Sequence, residues 1–203
     1  MKISNVNNLS DARYCAGMYV NLLGFSLEEQ DEYYVPPTQF KEITDWLSGL
    51  QYVAEFKTSH PDNILNTLKQ YAHFDLIQIE EFAHLQMLYH TNYPLIYKAE
   101  IDSDKDLDTL INLSPTFREH NILLNLETNM GYGLSPSHIG LLKDLASRCE
   151  VLLGFGFDEN NVEKVISETR VKGISMRGGH EIKPGIKDFD ELADILEVLE
   201  VED

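Results

Sequence analysis

The chain has 203 residues, 43% of them hydrophobic and 25% charged, a composition typical of one globular domain with a continuous core. Its 34 acidic residues against 16 Lys and Arg give a formal net charge of −18, which argues against nucleic-acid and membrane-surface partners because both are polyanions. The N-terminal MKISNVNNL holds no apolar run for a signal peptide, and no segment is apolar for long enough to span a membrane. The two cysteines, Cys15 and Cys149, lack metal-ligand spacing, so we expect a cytoplasmic protein without disulfides, metal or cofactor.

Short, β-rich apolar runs recur about every 25 residues, and helical patterns separate them. Runs such as LLGF, DLIQI and EVLLGF are apolar throughout, as expected of strands in a parallel sheet that is covered on both faces. The predicted strands are Lys2–Val6, Tyr19–Phe25, Tyr52–Phe56, Phe74–Ile79, Leu95–Ala99, Ile122–Leu126, Val151–Phe155 and Gly173–Met176.

Helix start signals lie between these strands. They are N-cap residues, prolines that a first helical turn tolerates, and a capping box. The predicted starts are Ser10, Pro37, Pro61, Ser135 with Pro136, Asp158, and Asp188 with Glu191. Eight regular strand–helix units predict one (β/α)8 barrel domain over residues 1–203, with a doubly wound open sheet as the competing fold.

In such a barrel the functional groups lie at the C-terminal ends of the strands. Polar residues occupy these positions in most of the predicted units: Ser4, Asn5, Ser26, Glu55, Lys57, Gln78, Glu80, Lys98, Glu100, Asn125, Glu127 and Arg177. Strand ends are often polar simply because they meet water. For any single carboxylate, including Glu127, a solvated rim position is therefore the favoured interpretation.

Two glycine-rich loops follow the last two predicted strands. Gly154 and Gly156 follow the seventh strand, and Arg177, Gly178 and Gly179 follow the eighth. Glycines let backbone N–H groups approach an anion, and Arg offers a bidentate fork. Because these loops form the usual phosphate site of barrel enzymes, we predict that they bind a phosphate group.

Six segments, in order along the chain, carry a family resemblance. They are KISNVNNLSDA (K-I-C-G-I-T-x-x-x-D-A in the family), LLGF with YVPP (L-G-F and S-P-R-Y-V-x-P), FDLIQI (L-D-x-V-Q-L-H-G), MGYG (G-G-T-G), FGFDENNV (G-G-L-N-P-E-N-V) and GISMRGGHEIKPGIKD (G-V-D-V-S-S-G-V-E-x-x-P-G-x-K-D). Together they resemble the phosphoribosylanthranilate isomerase family of tryptophan biosynthesis, nearly end to end. The resemblance implies a small phosphorylated ligand and adds Gln78, Gly131 and Gly133 to the candidate binding residues.

The family's reaction is an Amadori rearrangement of an N-phosphoribosyl amine, in which a general acid opens the ribose ring and a general base moves the C2 proton. The resemblance places the base, a cysteine, at Ser4 and the acid, an aspartate, at Asn125. A serine hydroxyl is a very weak base, and an amide cannot donate a proton as an acid. Two further family residues, a His and an Arg, are replaced by Glu80 and Tyr33, so the four changes indicate lost or redirected chemistry.

Three hypotheses follow. The first is an active isomerase with displaced groups, Glu127 as the acid and Glu80 or Lys98 as the base. The second is a non-catalytic barrel that still binds a phosphosugar. The third is a barrel enzyme of other chemistry, in which Glu55, Glu80, Glu100 and Glu127 line a site with Lys98, with Mg²⁺ as a candidate ion although no spacing supports a metal. The oligomeric state is left open.

Overall fold

A computed structural model of the chain describes residues 1–129, 133–178, 181–183, 186–187 and 190–199. Eight parallel strands form a closed barrel in which each strand pairs with the next and the first pairs with the eighth, which confirms the predicted fold class. The barrel strands are β1 (Lys2–Ser4), β2 (Leu22–Ser26), β3 (Gln51–Phe56), β4 (Leu76–Ile79), β5 (Leu95–Glu100), β6 (Leu123–Glu127), β7 (Val151–Leu153) and β8 (Gly173–Arg177). A separate antiparallel pair, β9 (Glu181–Lys183) and β10 (Ile186–Lys187), follows β8.

Helices alternate with the strands around the barrel. They are α1 (Leu9–Gly17), α2 (Pro37–Thr44), α3 (Pro61–Leu68), α4 (Leu85–Leu88) after a 3-10 turn (Phe82–His84), α5 (Asp104–Glu119), α6 (Pro136–Arg148), α7 (Val162–Thr169) and α8 (Asp190–Val198). Among the residues described, no helix combines the length and apolar character that crossing a bilayer requires. The cytoplasmic location stays a prediction.

Two strand boundaries differ from the predicted ones for a backbone reason. β1 ends at Ser4 because Asn5 has a φ of 59°, and β2 begins only at Leu22, after Tyr19, which has a φ of 54°. Such left-handed conformations cannot continue a strand. The prediction from apolar runs therefore placed the end of β1 too late and the start of β2 too early.

Three predicted helix starts are confirmed and two are wrong. The prolines at 37, 61 and 136 are each the first residue of their helix. However, α1 begins after the N-cap Asn8 rather than at Ser10, and α7 begins at Val162 after a turn that starts at Asp158. The predicted start at Asp188 lies outside the described residues.

The lowest layer inside the barrel is apolar. Six buried side chains, one from each of β2 to β7, pack together as this floor: Leu22, Val53, Leu76, Ile96, Leu123 and Leu152. Because side chains alternate along a strand, the residue two positions further on points into the same interior, closer to the C-terminal end. The floor therefore fixes which residues form the layer above it.

Candidate functional site

A polar layer lies directly above the floor. The residues two positions beyond the floor residues are Gly24, Glu55, Gln78, Lys98, Asn125 and Gly154, and β1 and β8 add Lys2, Ser4, Ser175 and Arg177. The glycine of β2 leaves the space that this layer needs, because a Cβ at Gly24 would overlap the carboxylate of Glu55. A glycine inside a strand often marks such a close approach.

Ser4, at the position of the family's base, lies beside a buried ion pair. The Lys2 ammonium is fully buried and lies 2.5 Å from Glu55 Oε1. Lys2 Nζ also donates a hydrogen bond to the Ser4 hydroxyl, and the backbone N–H of Asn5 donates to Glu55 Oε2 at 3.2 Å. The Ser4 oxygen therefore accepts from a cation, and no carboxylate or imidazole takes its proton among the hydrogen bonds of the described residues.

Asn125, at the position of the family's acid, is fully buried and hydrogen-bonded at both ends of its amide. Its Nδ2 donates to Gln78 Oε1 at 3.2 Å and to Glu127 Oε1 at 3.1 Å, and its Oδ1 accepts from the Ser175 hydroxyl at 2.5 Å. Gln78 in turn donates to Glu55 Oε1 at 3.3 Å. The Asn125 and Gln78 amides thus connect the two buried carboxylates, Glu127 and Glu55, through hydrogen bonds.

Glu127 is a buried member of the network, so its interpretation as a rim carboxylate is wrong. Its residue exposure is 7%, and its Oε2 lies 2.7 Å from Arg177 Nη2 and 3.5 Å from Lys98 Nζ. Burial alone would raise the pKa of Glu127, but Lys98, Lys2 and Arg177 together lower it below its ordinary value. Glu127 is therefore held ionised near neutral pH.

Lys98 is held in the opposite charge state. Its ammonium lies 2.8 Å from Glu80 Oε1 as well as facing Glu127. Burial lowers the pKa of Lys98, but these two carboxylates outweigh it and the pKa is raised. A protonated lysine cannot accept a proton and an ionised carboxylate cannot donate one, so neither group suits the acid or base role near pH 7.

The glycine loops provide fewer amide donors than expected. The N–H of Gly154 donates to the Leu126 carbonyl at 2.8 Å, and the N–H of Gly178 donates to the Ser4 carbonyl at 2.9 Å. Because these bonds extend the strand pairing, the two N–H groups are already used within the sheet, and the assignment of Gly154 and Gly178 to a phosphate site stays a prediction. Gly131 and Gly179 lie outside the described residues.

Gly156 and Gly133 lie together, away from the barrel axis. Gly156 has a φ of 77°, and a Cβ there would lie 2.5 Å from Leu134 Cγ. Both glycines line an outer cavity of about 530 Å³ beside α7, whose lining includes neither Arg177 nor Gly178. Among the residues that the structure describes, Gly133 and Gly156 therefore do not share a cavity with Arg177.

The cavity at the barrel mouth holds about 250 Å³ and is lined by polar and charged residues. The lining residues on the strands are Ser4, Ser26, Glu55, Gln78, Lys98, Glu127 and Arg177, and those on the loops are Asn5, Asp31, Glu32, Tyr33, Lys57 and Glu80. Asp31 is tied to Lys57 by an ion pair of 2.5 Å, which holds the loop after β2 against the loop after β3. Six predicted catalytic or binding residues thus line one cavity: Ser4, Gln78, Glu80, Lys98, Glu127 and Arg177. Asn125 does not line it but is hydrogen-bonded to Glu127, which does.

Sequence reasoning missed three members of the site. Lys2 stands two residues before Ser4, so the alternation already placed it in the interior, but a lysine at a chain terminus suggests solvent. For Ser175 and Gly24, the alternation along the strand predicts only that they face the interior, and nothing in the sequence indicates their partners. Their roles depend on Asn125 and Glu55, which come from other strands.

The metal hypothesis gains no support from the arrangement. Within the described ranges, no group of three or more His, Cys, Asp or Glu side chains is placed to hold a metal ion. Glu55 and Glu127 each face cations instead.

Comparison with known proteins gives one consistent match. No family model matches the chain. It is 25% identical over 198 residues to the N-(5'-phosphoribosyl)anthranilate isomerase of Thermotoga petrophila, which covers 95% of this chain and 94% of the relative. The corresponding enzyme of Agrobacterium fabrum is 22% identical over 192 residues, covering 87% of this chain and 84% of the relative.

Solved structures of similar fold include phosphoribosyl anthranilate isomerases. The crystal structure of phosphoribosyl anthranilate isomerase from Thermotoga maritima superimposes with a TM-score of 0.77 and 22% identity, covering 97% of this chain and 96% of that chain. A second structure of such an isomerase, in complex with reduced 1-(o-carboxyphenylamino)-1-deoxyribulose 5-phosphate, gives a TM-score of 0.75 with 22% identity, covering 97% and 95%. The chain is a distant homologue of the phosphoribosylanthranilate isomerases, at about 25% identity over most of its length.

Proposed function

We propose that this chain is a phosphoribosylanthranilate isomerase-like barrel that binds a small phosphosugar at its mouth without performing the Amadori rearrangement. The observation that carries the proposal is the state of Asn125. This amide replaces the family's acid, is fully buried, and is hydrogen-bonded to Gln78, Glu127 and Ser175. A group so completely satisfied is a structural member of the barrel rather than a proton donor.

The displaced groups do not restore the missing chemistry. Glu127 would have to be protonated to act as the acid, yet Lys98 and Arg177 lower its pKa. Lys98 would have to be neutral to act as the base, yet Glu127 and Glu80 raise its pKa. Both groups are therefore tuned away from the proton transfers that the reaction needs.

The mouth suits a small hydroxyl-rich ligand. At about 250 Å³ it is smaller than most ligand pockets, and its lining offers hydrogen-bonding groups with Tyr33 as the aromatic surface. Arg177, whose side chain is 52% exposed, lies at the rim, where its guanidinium can turn toward a phosphate. The ligand in the complexed structural neighbour is itself a deoxyribulose 5-phosphate derivative.

Catalysis is tested with purified protein and phosphoribosylanthranilate, following the loss of anthranilate-ester fluorescence. We expect no turnover above the buffer rate, because a positioned acid or base contributes about 10²–10⁴-fold each. Turnover that Glu127→Gln abolishes would overturn the proposal and support the isomerase with displaced groups. The double variant Ser4→Cys with Asn125→Asp tests whether the rest of the site still accepts the substrate.

Binding is tested by thermal shift with ribose 5-phosphate, ribose and inorganic phosphate. A ligand at about 100 times its Kd stabilises by about 2.7 kcal/mol, so ribose 5-phosphate should raise the Tm measurably. Arg177→Gln should reduce this shift, whereas Lys69→Gln, which removes an exposed cation at the end of α3, should leave it unchanged. Absence of a shift with all three compounds would refute phosphosugar binding.

A further inference from the structure

The N-terminal face of the barrel, opposite the mouth, carries a concentration of cations. A cavity of about 530 Å³ opens there, beside the last residues of α5 and α6 and the first residue of β7. Its charged lining consists of Arg118, Arg148, Arg170, Lys172 and one carboxylate, Glu150. Four of the chain's 16 Lys and Arg residues thus surround one cavity in a protein with a net charge of −18.

Two of these cations are not neutralised within the described part of the chain. Arg148 forms a bidentate pair with Asp144 on its own helix, and Lys172 lies 2.7 Å from Glu150. Arg118 and Arg170, by contrast, form no side-chain hydrogen bond or ion pair with any described residue. The cavity therefore carries an excess of positive charge with free guanidinium donors.

The backbone at Arg170 adds a second observation. Arg170 ends α7 with a φ of 58°, the left-handed position at which glycine is the usual residue. A long cationic side chain stands there despite the steric cost to a residue with a Cβ. Asn121, after α5, has a φ of 51° and brings a side-chain amide to the same cavity.

We propose that this cavity is a second anion-binding site, which takes the pyrophosphate or polyphosphate group of a small molecule. Arg118 and Arg170 are its principal ligands, because the planar guanidinium fork matches phosphate oxygens. Arg148, Lys172 and Asn121 extend the donor set around the cavity. The site is independent of the mouth, which lies at the opposite ends of the strands.

The test is calorimetric titration of the full chain with sodium pyrophosphate at low ionic strength. Arg118→Gln with Arg170→Gln should weaken binding about tenfold or more. Lys41→Gln with Lys69→Gln removes one exposed cation from α2 and one from the end of α3, and it should change the affinity by no more than about twofold. Equal weakening in both double variants would show a general charge effect and overturn the proposal, as would wild-type protein that does not bind pyrophosphate.

Cys149 provides a local readout. It lines this cavity, whereas Cys15 is fully buried, and burial raises the pKa of the Cys149 thiol to about 11. At mildly alkaline pH, pyrophosphate should slow its reaction with a neutral thiol reagent in the wild type and in the Lys41→Gln, Lys69→Gln variant. If pyrophosphate still protects Cys149 in the Arg118→Gln, Arg170→Gln variant, the two arginines do not bind the anion, and the proposal fails.

Discussion

The floor of the barrel interior and the fully buried residues of the polar layer, Lys2 and Asn125, are excluded from solvent for different reasons. A floor residue such as Ile96 needs only apolar neighbours of suitable volume, so several side chains could replace it. A residue of the polar layer, such as Lys2 or Asn125, is tolerated only because particular partners satisfy its charge or hydrogen bonds. The floor therefore tolerates substitution one residue at a time, whereas the polar layer works as a set.

The largest expected effect is that of removing one partner of the buried ion pair. Lys2→Met leaves the Glu55 carboxylate buried without its cation, and breaking such a pair costs about 3–5 kcal/mol. We expect this loss in the free energy of unfolding measured with urea at pH 7. The floor gives the comparison, since Ile96→Val should cost only about 0.5–1.5 kcal/mol.

The matched control removes both charges. Lys2→Met with Glu55→Leu should recover much of the lost stability, because replacing both partners of a buried pair by apolar groups is often neutral. If Lys2→Met costs no more than Ile96→Val, the two layers do not differ in the way described. If the double variant is no more stable than Lys2→Met alone, other groups must already compensate the Glu55 charge when Lys2 is removed.

A smaller effect is expected where the polar layer needs space. In Gly24→Ala the new methyl group overlaps the Glu55 carboxylate, which Lys2 and Gln78 hold in place. Overpacking of this kind costs about 1–3 kcal/mol in the free energy of unfolding. Gly17→Ala is the control, because nothing lies within 4 Å of a Cβ there and alanine favours the helix.

A double-mutant cycle locates the origin of that cost. Shortening Glu55 to serine removes the group with which the new methyl collides, so Gly24→Ala should cost little in a Glu55→Ser background. Equal costs in both backgrounds would place the strain in the β2 backbone instead. The cycle thereby tests whether Gly24 belongs to the polar layer.

Periodicity in the sequence predicts the barrel and the candidate residues, because alternation and strand spacing are local properties. It does not predict how Glu127 is paired. A carboxylate near a strand end is exposed or buried depending on its neighbours, and Arg177 and Lys98 come from β8 and β5. The charge state of each group follows from that pairing, so the acid–base assignment required the three-dimensional arrangement.

The hydrogen bonds of the glycine loops could not be predicted from the local sequence either. Their composition predicts flexible amide donors, and the sequence cannot tell which amides the sheet will use. The closed barrel uses the N–H groups of Gly154 and Gly178 to extend the pairing of β7 with β6 and of β8 with β1. Barrel closure is a long-range property, so it could not be derived from the loop sequences.

The smallest expected effect is the pH dependence contributed by Glu127. Because its pKa in the folded protein lies below the ordinary value of 4.5, the unfolded chain binds the proton more tightly. The stability that Glu127 contributes is therefore complete above about pH 4.5 and is lost as the pH falls through the lower folded-state pKa. We expect the free energy of unfolding of Glu127→Gln to decrease less between pH 5 and pH 3 than that of the wild type.

Glu163→Gln is the control, because it removes an exposed carboxylate from α7. Its stability curve should run parallel to the wild-type curve over this range, because its carboxylate forms no ion pair with a described residue. The Lys98–Glu80 pair is intact in Glu127→Gln, so the variant should fold and allow the comparison. If the Glu127→Gln curve is also parallel to the wild-type curve, Lys98 and Arg177 do not stabilise the ionised form, and Glu127 regains its candidacy as a general acid.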